Sequence, residues 1–258
     1  MEKLVNFTVN DRIAYITLNR ESKKNALNPE LVAQLTDAFL EASNNPTIKI
    51  IILNANGSVF SAGADLEYLQ KLQVNTFEEN VEDSNNLKNL FSLIYNHPKI
   101  IIAQVEGHAI AGGCGLATIC DFVFAVPEAK FGYTEVKLGF IPAIVSVFLK
   151  SKLGELKAKE LLFTGDLITA TTAKEIGLIN FIIDKNSIHQ EVESFAKNIC
   201  TSTSSNSLKA TKRLLNSLYH PELENQLNEA VQLNAEIRSS EDFKKGVSSF
   251  LNKQQIIW

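Results

Sequence analysis

Hydrophobic and polar residues alternate from the start of the chain. Val5-Asn6-Phe7-Thr8-Val9 and Ile13-Ala14-Tyr15-Ile16-Thr17-Leu18 flank Asn10-Asp11, the pattern of two strands joined as a hairpin. Asn28-Pro29 then offers an N-cap with proline in the first helical position, and Leu31, Leu35, Ala38, Phe39 and Ala42 follow at helical spacing. Ile48 to Leu53 and Ile100 to Val105 are near-continuous aliphatic runs, which predict strands buried on both faces. Each leads into a glycine-containing turn, Ser61-Ala62-Gly63-Ala64-Asp65 and Gly107-His108-Ala109-Ile110-Ala111-Gly112-Gly113, and each turn is followed by a helical pattern.

Beyond residue 150 the pattern is mostly helical, with short helices expected over Gly154–Leu162 and Ala173–Gly177. Ser187 to Cys200 should be a helix opened by a Ser187/Gln190 capping box, with Ile188, Val192, Phe195, Ala196 and Ile199 packed inward. Thr201–Ser207 is expected as a polar loop, then one long helix to about residue 237. A final helix begins near Ser239 or Ser240 and carries Phe243, Val247, Phe250 and Leu251 on one side.

Composition narrows the class. With 258 residues, 45% hydrophobic and 21% charged, the chain can bury one large core. Its net charge of -4 gives no general attraction for nucleic acid or an anionic membrane, so neither is expected as a partner. No apolar stretch of signal-peptide or membrane-span length occurs, and a cytoplasmic protein is expected. Cys114, Cys120 and Cys200 lack metal-ligand spacing and are read as reduced, without a disulfide.

The two glycine turns carry the candidate chemistry. A turn that enters a helix presents N–H groups lacking internal partners, with the helix dipole favouring negative charge there. Two such turns could converge on one oxygen, polarise a thioester carbonyl and hold the resulting enolate. Other motifs fail on the same residues: Gly107 to Gly115 is not GxGxxG in frame, there is no Gly-Lys-Ser/Thr phosphate loop, and GxSxG is absent.

Ser61-Ala-Gly-Ala-Asp65-Leu, followed by Ile102-Ala-Gln-Val-Glu-Gly-His-Ala-Ile-Ala-Gly-Gly-Cys-Gly-Leu-Ala-Thr-Ile-Cys-Asp121, resembles the two signature segments of the crotonase (enoyl-CoA hydratase/isomerase) superfamily. Lys24-Asn25-Ala26-Leu27, Ala129-Lys130-Phe131-Gly132, Leu162-Phe-Thr-Gly165 and Asp242-Phe243-Lys244-Lys245-Gly246-Val247 fall in the family's order, so the likeness covers nearly the whole chain. It implies an α/β fold: a spiral of repeated ββα units over residues 1–200, and a C-terminal helical region, 201–258, for trimerisation and active-site cover. It implies an enzyme acting on the double bond of an acyl-CoA thioester, as a homotrimer or pair of trimers. Coenzyme A would be part of the substrate, with no metal or redox cofactor.

Residue by residue, the likeness makes the amides of Ala64 and Gly112 the oxyanion hole and Glu135 the catalytic carboxylate. Lys23, Ala26, Leu27, Ala62, Leu66, Gly113 and Gly115 would line the CoA and acyl track, with Asp65 chiefly a helix cap beside it and Lys253 near a CoA phosphate. His108, Cys114, Cys120 and Asp121 are read as packing or helix-end residues, and Tyr68 and Tyr133 as pocket or core.

Two departures stand out. Hydratases of this family that use two carboxylates carry one where this chain has Gly115, whereas Glu135 is retained. Hydration or dehydration of an enoyl-CoA is the first expectation. One carboxylate also suffices for double-bond isomerisation, or for decarboxylation of a methylglutaconyl-type thioester. A different class, a non-catalytic member binding acyl-CoA or RNA, is the rival. Ile141-Pro142-Ala143-Ile144-Val145-Ser146-Val147-Phe148 replaces the family's glycines with bulky residues, which predicts a remodelled acyl pocket.

Overall fold

The computed structural model describes residues 2–219, 222–256 and 258. Strands β1 (Val5–Asn10) and β2 (Ile13–Leu18) form the expected hairpin, and α1 (Pro29–Asn44) is capped by the Asn28 side chain, which accepts from Leu31 N–H at 2.9 Å. Next come β3 (Ile50–Ala55), β4 (Val59–Ser61), α2 (Leu66–Leu72) and α3 (Phe77–Tyr95). A second turn supplies β5 (Ile100–Val105), β6 (His108–Ile110) and α4 (Gly112–Thr118). A third supplies β7 (Phe122–Ala125), β8 (Lys130–Gly132) and the long α5 (Ala143–Thr164), whose helical path is interrupted at Gly154. Then follow β9 (Ile168–Thr169), α6 (Ala170–Glu175), β10 (Phe181–Ile182) and α7 (Ile188–Ser202). The chain closes with α8 (Ser205–Tyr219), α9 (Leu223–Ile237) and α10 (Glu241–Leu251).

Successive turns stack their strands into two sheets. Among the described residues the larger has the order β1-β2-β3-β5-β7-β10 and the smaller β4-β6-β8-β9. The isoleucine runs pair directly, Ile50 with Ile100 and Ile52 with Ile102, in parallel register. Helices or strands cover both of their faces, so these residues are almost entirely buried, which is why the runs are aliphatic without alternation. The sheet twists into the expected spiral of ββα units.

Three expectations about the helices change. Ser187 is the N-cap residue of α7, but no side-chain capping bond forms; its hydroxyl donates instead to Asp184 O at 3.2 Å. The polar loop shrinks because α7 runs through Ser202 and α8 begins at Ser205. There Lys49 and Arg12 both donate to Cys200 O at 3.2 Å, holding the end of α7 through carbonyls that lack helix partners. The single long helix is two, α8 and α9, ending and starting on either side of residues 220–221. Pro221 has no N–H with which to continue a helix.

The C-terminal helices pack on the spiral. Lys212 of α8 pairs with Asp121 at 2.7 Å, and Asp121 also accepts from Ile101 N–H, so Asp121 ties helix to sheet. Leu227, Ala230 and Val231 of α9 join the main core, while Phe243 and Val247 of α10 form a second cluster with Leu69 and Leu72. Cys114, Cys120 and Cys200 are buried thiols.

Candidate active site

The segment around Ala26 and Leu27 zips in parallel against the first glycine turn. Ala62 N–H donates to Lys24 O at 3.0 Å, Leu27 N–H to Gly63 O at 2.7 Å, and Asp65 N–H to Leu27 O at 2.8 Å. These bonds use the peptide groups on either side of Ala64, which turns the N–H of Ala64 itself away from Leu27. Gly112, the first residue of α4, has an N–H that no helical carbonyl can reach. Both residues line one cavity of about 1390 Å³.

The residues that precede these donors set their spacing. Gly63 has φ +86 and backs onto Ala111; a Cβ added to it would lie 2.7 Å from the Ala111 Cβ. Ala111 is itself at φ 52 and ψ −129, a conformation that costs a non-glycine residue about 1–3 kcal/mol. It is held there by its N–H, which donates to Gly132 O at 2.7 Å, and by its O, which accepts from Gly115 N–H at 3.1 Å. Only a residue without a side chain at position 63 lets the two turns approach so closely.

Asn25 anchors the opposing loop, with φ 53 and nearly complete burial. Its side chain donates to Asn56 O and Val59 O and accepts from Arg20 N–H, while Ser61 Oγ donates to its carbonyl. Asp65 caps α2, accepting from Tyr68 N–H at 3.0 Å, and pairs with Arg20 at 2.6 Å. Burial alone would raise its pKa, but the Arg20 guanidinium and the amides around it outweigh that and hold the carboxyl below its ordinary value. Asp65 is therefore a charged cap, and Arg20 the partner that spacing did not reveal.

Glu135 opens a 3-10 turn, Glu135–Leu138, and is 8% exposed. Its Oε2 has no hydrogen-bond partner among the described residues. Burial pushes its carboxyl up to about 7. Helix α10 lies directly on this turn: a Cβ on Gly246 would be 2.1 Å from Leu138 O, so the close contact requires glycine. The turn continues into Phe140, whose N–H donates to Glu135 O at 3.1 Å.

Of the residues expected at the site, Lys23, Ala26, Leu27, Ala62, Asp65 and Leu66 line the cavity together with Ala64, Gly112 and Glu135. Gly113, Gly115 and Lys253 are not among the lining residues. Gly113 packs on Ser61, where a Cβ would meet Oγ at 2.6 Å, and Lys253 is exposed beyond α10. Gly115 faces Val145 of α5, whose Cγ1 would be 2.2 Å from an added Cβ. A side chain at Gly115 would require Val145 to move aside. A separate void of only about 10 Å³ remains there, walled by Phe91, Thr118, Phe148 and Lys152.

His108 is exposed and accepts from Lys130 N–H, and Tyr133 is a core residue bonded to Thr118 Oγ at 2.9 Å. Among the described residues no group of three or more His, Cys, Asp or Glu side chains is placed to hold a metal ion.

The helical side of the cavity holds a polar group that pattern reading missed. Tyr68 OH donates to Asp83 Oδ1, and Arg238 pairs with Asp83 Oδ2 at 2.8 Å while lying 5.7 Å over the Phe140 ring. Asn234, one turn before Arg238, donates to Ser84 Oγ at 3.0 Å. Asn80, Asp83, Ser84 and Leu87 recur at helical spacing on α3, but in sequence a buried polar stripe looks like a solvated one.

The family pattern described as enoyl-CoA hydratase/isomerase matches residues 8–258. A Thermus thermophilus protein named "Putative enoyl-CoA hydratase" is 39% identical over 242 residues, covering 94% of this chain and 95% of that one. A crotonyl-CoA hydratase of Syntrophomonas wolfei is 31% identical, covering 95% and 94%. The crystal structure of an enoyl-CoA hydratase from Bacillus halodurans superposes with a TM-score of 0.89 at 28% identity, covering 95% of this chain and 99% of that one. With the fold, the paired glycine turns and the buried glutamate already in place, these matches make the chain a member of the enoyl-CoA hydratase/isomerase family.

Proposed function

We propose that the protein adds water to, and removes it from, the double bond of a 2-enoyl-CoA thioester, with Glu135 as its one acid–base group. The observation that carries this is the Glu135 carboxyl, buried in the cavity wall with Oε2 unpartnered and its pKa near neutrality. A group poised there can both take and return a proton at neutral pH. The Ala64 and Gly112 amides bind the thioester oxygen, which becomes an oxyanion as the reaction proceeds. Ionised Glu135 takes one proton from water as its oxygen bonds to C3, and the C2–C3 π electrons move into the enolate. The carboxylic acid so formed then gives that proton to C2, the enolate collapses, and Glu135 is a carboxylate again. The main chain polarises the carbonyl, so the step calls on no metal or redox group, and CoA enters as part of the substrate.

A second reading, migration of the double bond, is favoured by Val145, which fills the space beside Gly115. There Glu135 carries a proton between C2 and C4 without water. Incubation of 2-enoyl- and 3-enoyl-CoA in deuterated water separates the two. Hydration adds about 18 mass units to the 2-enoyl thioester plus deuterium at C2, while isomerisation leaves the mass of the 3-enoyl thioester almost unchanged through internal proton return. No turnover of either thioester by the wild type overturns the enzyme reading.

Self-association as a trimer or pair of trimers belongs to the same proposal. It is supported by apolar side chains left in solvent, Leu214, Leu215 and Leu218 on α8 and Leu156 and Phe163 on α5. Light scattering on the purified protein tests it; a monomer over the working concentration range rules it out.

A further inference from the structure

In the proposed reaction Glu135 must meet the substrate at a set distance from the amides of Ala64 and Gly112, yet its Oε2 has no partner to hold it. Placement of the carboxyl therefore falls to the main chain that carries it. That main chain is the strip Gly132-Tyr133-Thr134-Glu135, which leads from the end of β8 into the 3-10 turn. The strip is tied at two places to α4, the helix that begins with Gly112. Gly132 O accepts from the N–H of Ala111, the N-cap residue of α4, at 2.7 Å. Tyr133 OH lies 2.9 Å from Oγ of Thr118, the last residue of α4.

The direction of the second tie is fixed. Thr118 Oγ donates its one proton to Cys114 O at 2.8 Å, so Tyr133 is the donor between the two hydroxyls. Tyr133 and Thr118 are both buried, and the Cys114 thiol lies against the same phenol, so water does not compete for the bond. Phenylalanine would fill the same space without needing a buried partner, and packing alone does not account for the hydroxyl. Ala111 and Thr118 stand about 10 Å apart along the helix, and two ties at that separation fix the tilt of the strip as well as its position. Tyr133 itself gives up no proton, because burial holds its phenol well above the usual range.

We propose that Tyr133 is a positioning residue, whose bond to Thr118 sets the Glu135 carboxyl at working distance from a substrate held on the Gly112 amide. This rests on Glu135 as the proton carrier, and holds alike for hydration and for double-bond migration. Tyr133→Phe removes the hydroxyl and keeps the ring; Thr118→Val removes its acceptor and keeps the branched shape. Each should lower kcat about ten- to a hundredfold, the cost of a misplacement of about an ångström. KM, and the calorimetric affinity for a saturated, unreactive acyl-CoA, should stay within about twofold of wild type. The two substitutions together should cost no more than either alone, since both delete one bond.

Two readouts separate positioning from mere support of the fold. In the E135Q background there is no carboxylate to place, so Y133F should cause no further loss of residual turnover. The acidic limb of the Y133F pH profile should keep its midpoint near 7, because burial rather than Tyr133 raises the carboxyl. Unchanged kcat in folded Y133F overturns the proposal, as do losses that add across Y133F and E135Q, or a loss confined to KM and affinity. A displaced midpoint does the same, since Tyr133 would then act on the charge of Glu135. Should Y133F not fold, T118V decides on the same readouts. Wild-type turnover with both variants indifferent sinks this proposal alone, whereas no turnover by the wild type sinks the enzyme reading and this one with it.

Discussion

The two walls of the cavity are made of different material. The strand-end wall, around Leu27, Ala64 and Gly112, acts in the proposed mechanism through the main-chain N–H groups of Ala64 and Gly112, set by the contact between Gly63 and Ala111. The helical wall acts through side chains: Glu135, Val145, and the Asp83, Asn234 and Arg238 group. A main-chain donor cannot be deleted by changing its own side chain, so the first wall is vulnerable only where a Cβ intrudes or the backbone is re-aimed. On the second, each substitution removes a specific chemical group. On the proposed roles, carbonyl polarisation is therefore durable, whereas acid–base character and acyl preference are open to change.

The largest expected effect is on the side-chain wall. E135Q keeps shape and loses the proton carrier, and should lower kcat by about 10²–10⁴ in a coupled spectrophotometric assay. In the wild type, turnover that begins with ionised Glu135 should rise with pH through about 7, and that acidic limb should vanish from the residual activity of E135Q. A wild-type rate flat from pH 5 to 8 argues against a raised carboxyl as the base.

Breaking the main-chain wall needs a different residue. G63A places a methyl 2.7 Å from the Ala111 Cβ at φ +86, forcing the two donors apart. Turnover should fall by roughly a hundredfold, comparable to loss of one oxyanion donor, at temperatures where circular dichroism shows the variant folded. Unchanged kcat in a folded G63A would mean that the spacing of these turns is not critical.

Smaller effects sharpen the contrast at Gly115. G115A should cost about 1–3 kcal/mol in urea unfolding, because the new Cβ would sit 2.2 Å from Val145 Cγ1. V145A should relieve most of that penalty, a coupling that a double-mutant cycle reads directly. Additive costs would mean that Val145 is not what closes the position.

Last is a stability effect of Glu135 itself. Its folded-state pKa of about 7 lies above the ordinary 4.5, so between those values the folded chain holds a proton that the unfolded chain releases. Stability from this group is therefore lost as pH rises through that window. E135Q does not titrate, and should become more stable than wild type by on the order of 1–3 kcal/mol above pH 7, with the advantage fading below pH 4.5. Thermal unfolding at pH 8 and pH 4 checks the sign.

Much of the main-chain wall was legible in sequence. Gly63 and Gly112, following aliphatic runs and preceding helical patterns, mark the turns because glycine has few substitutes at such positions, and Asn28-Pro29 marked the start of α1. Ser187 with Gln190 had the right spacing for a capping box, yet Asp184 O took the hydroxyl, since spacing says nothing about a competing acceptor. Gly115 was readable as a missing carboxylate, but its filling by Val145 was not, since thirty positions separate them along the chain. The same holds for Arg20 with Asp65 and Arg238 with Asp83, pairs joined only when distant segments meet.

By itself, then, the sequence determined the family, the opening hairpin and first helix, the buried strands that lead into the two glycine turns, and the retained glutamate. These rest on local backbone preference and short-range periodicity, which act between neighbours in the chain. Tertiary structure alone decided that Glu135 is desolvated, that position 115 is packed against Val145, and that Arg238 and Asp83 meet in the helical wall. Burial and pairing are properties of what surrounds a group, and most of what surrounds each of these comes from far along the chain.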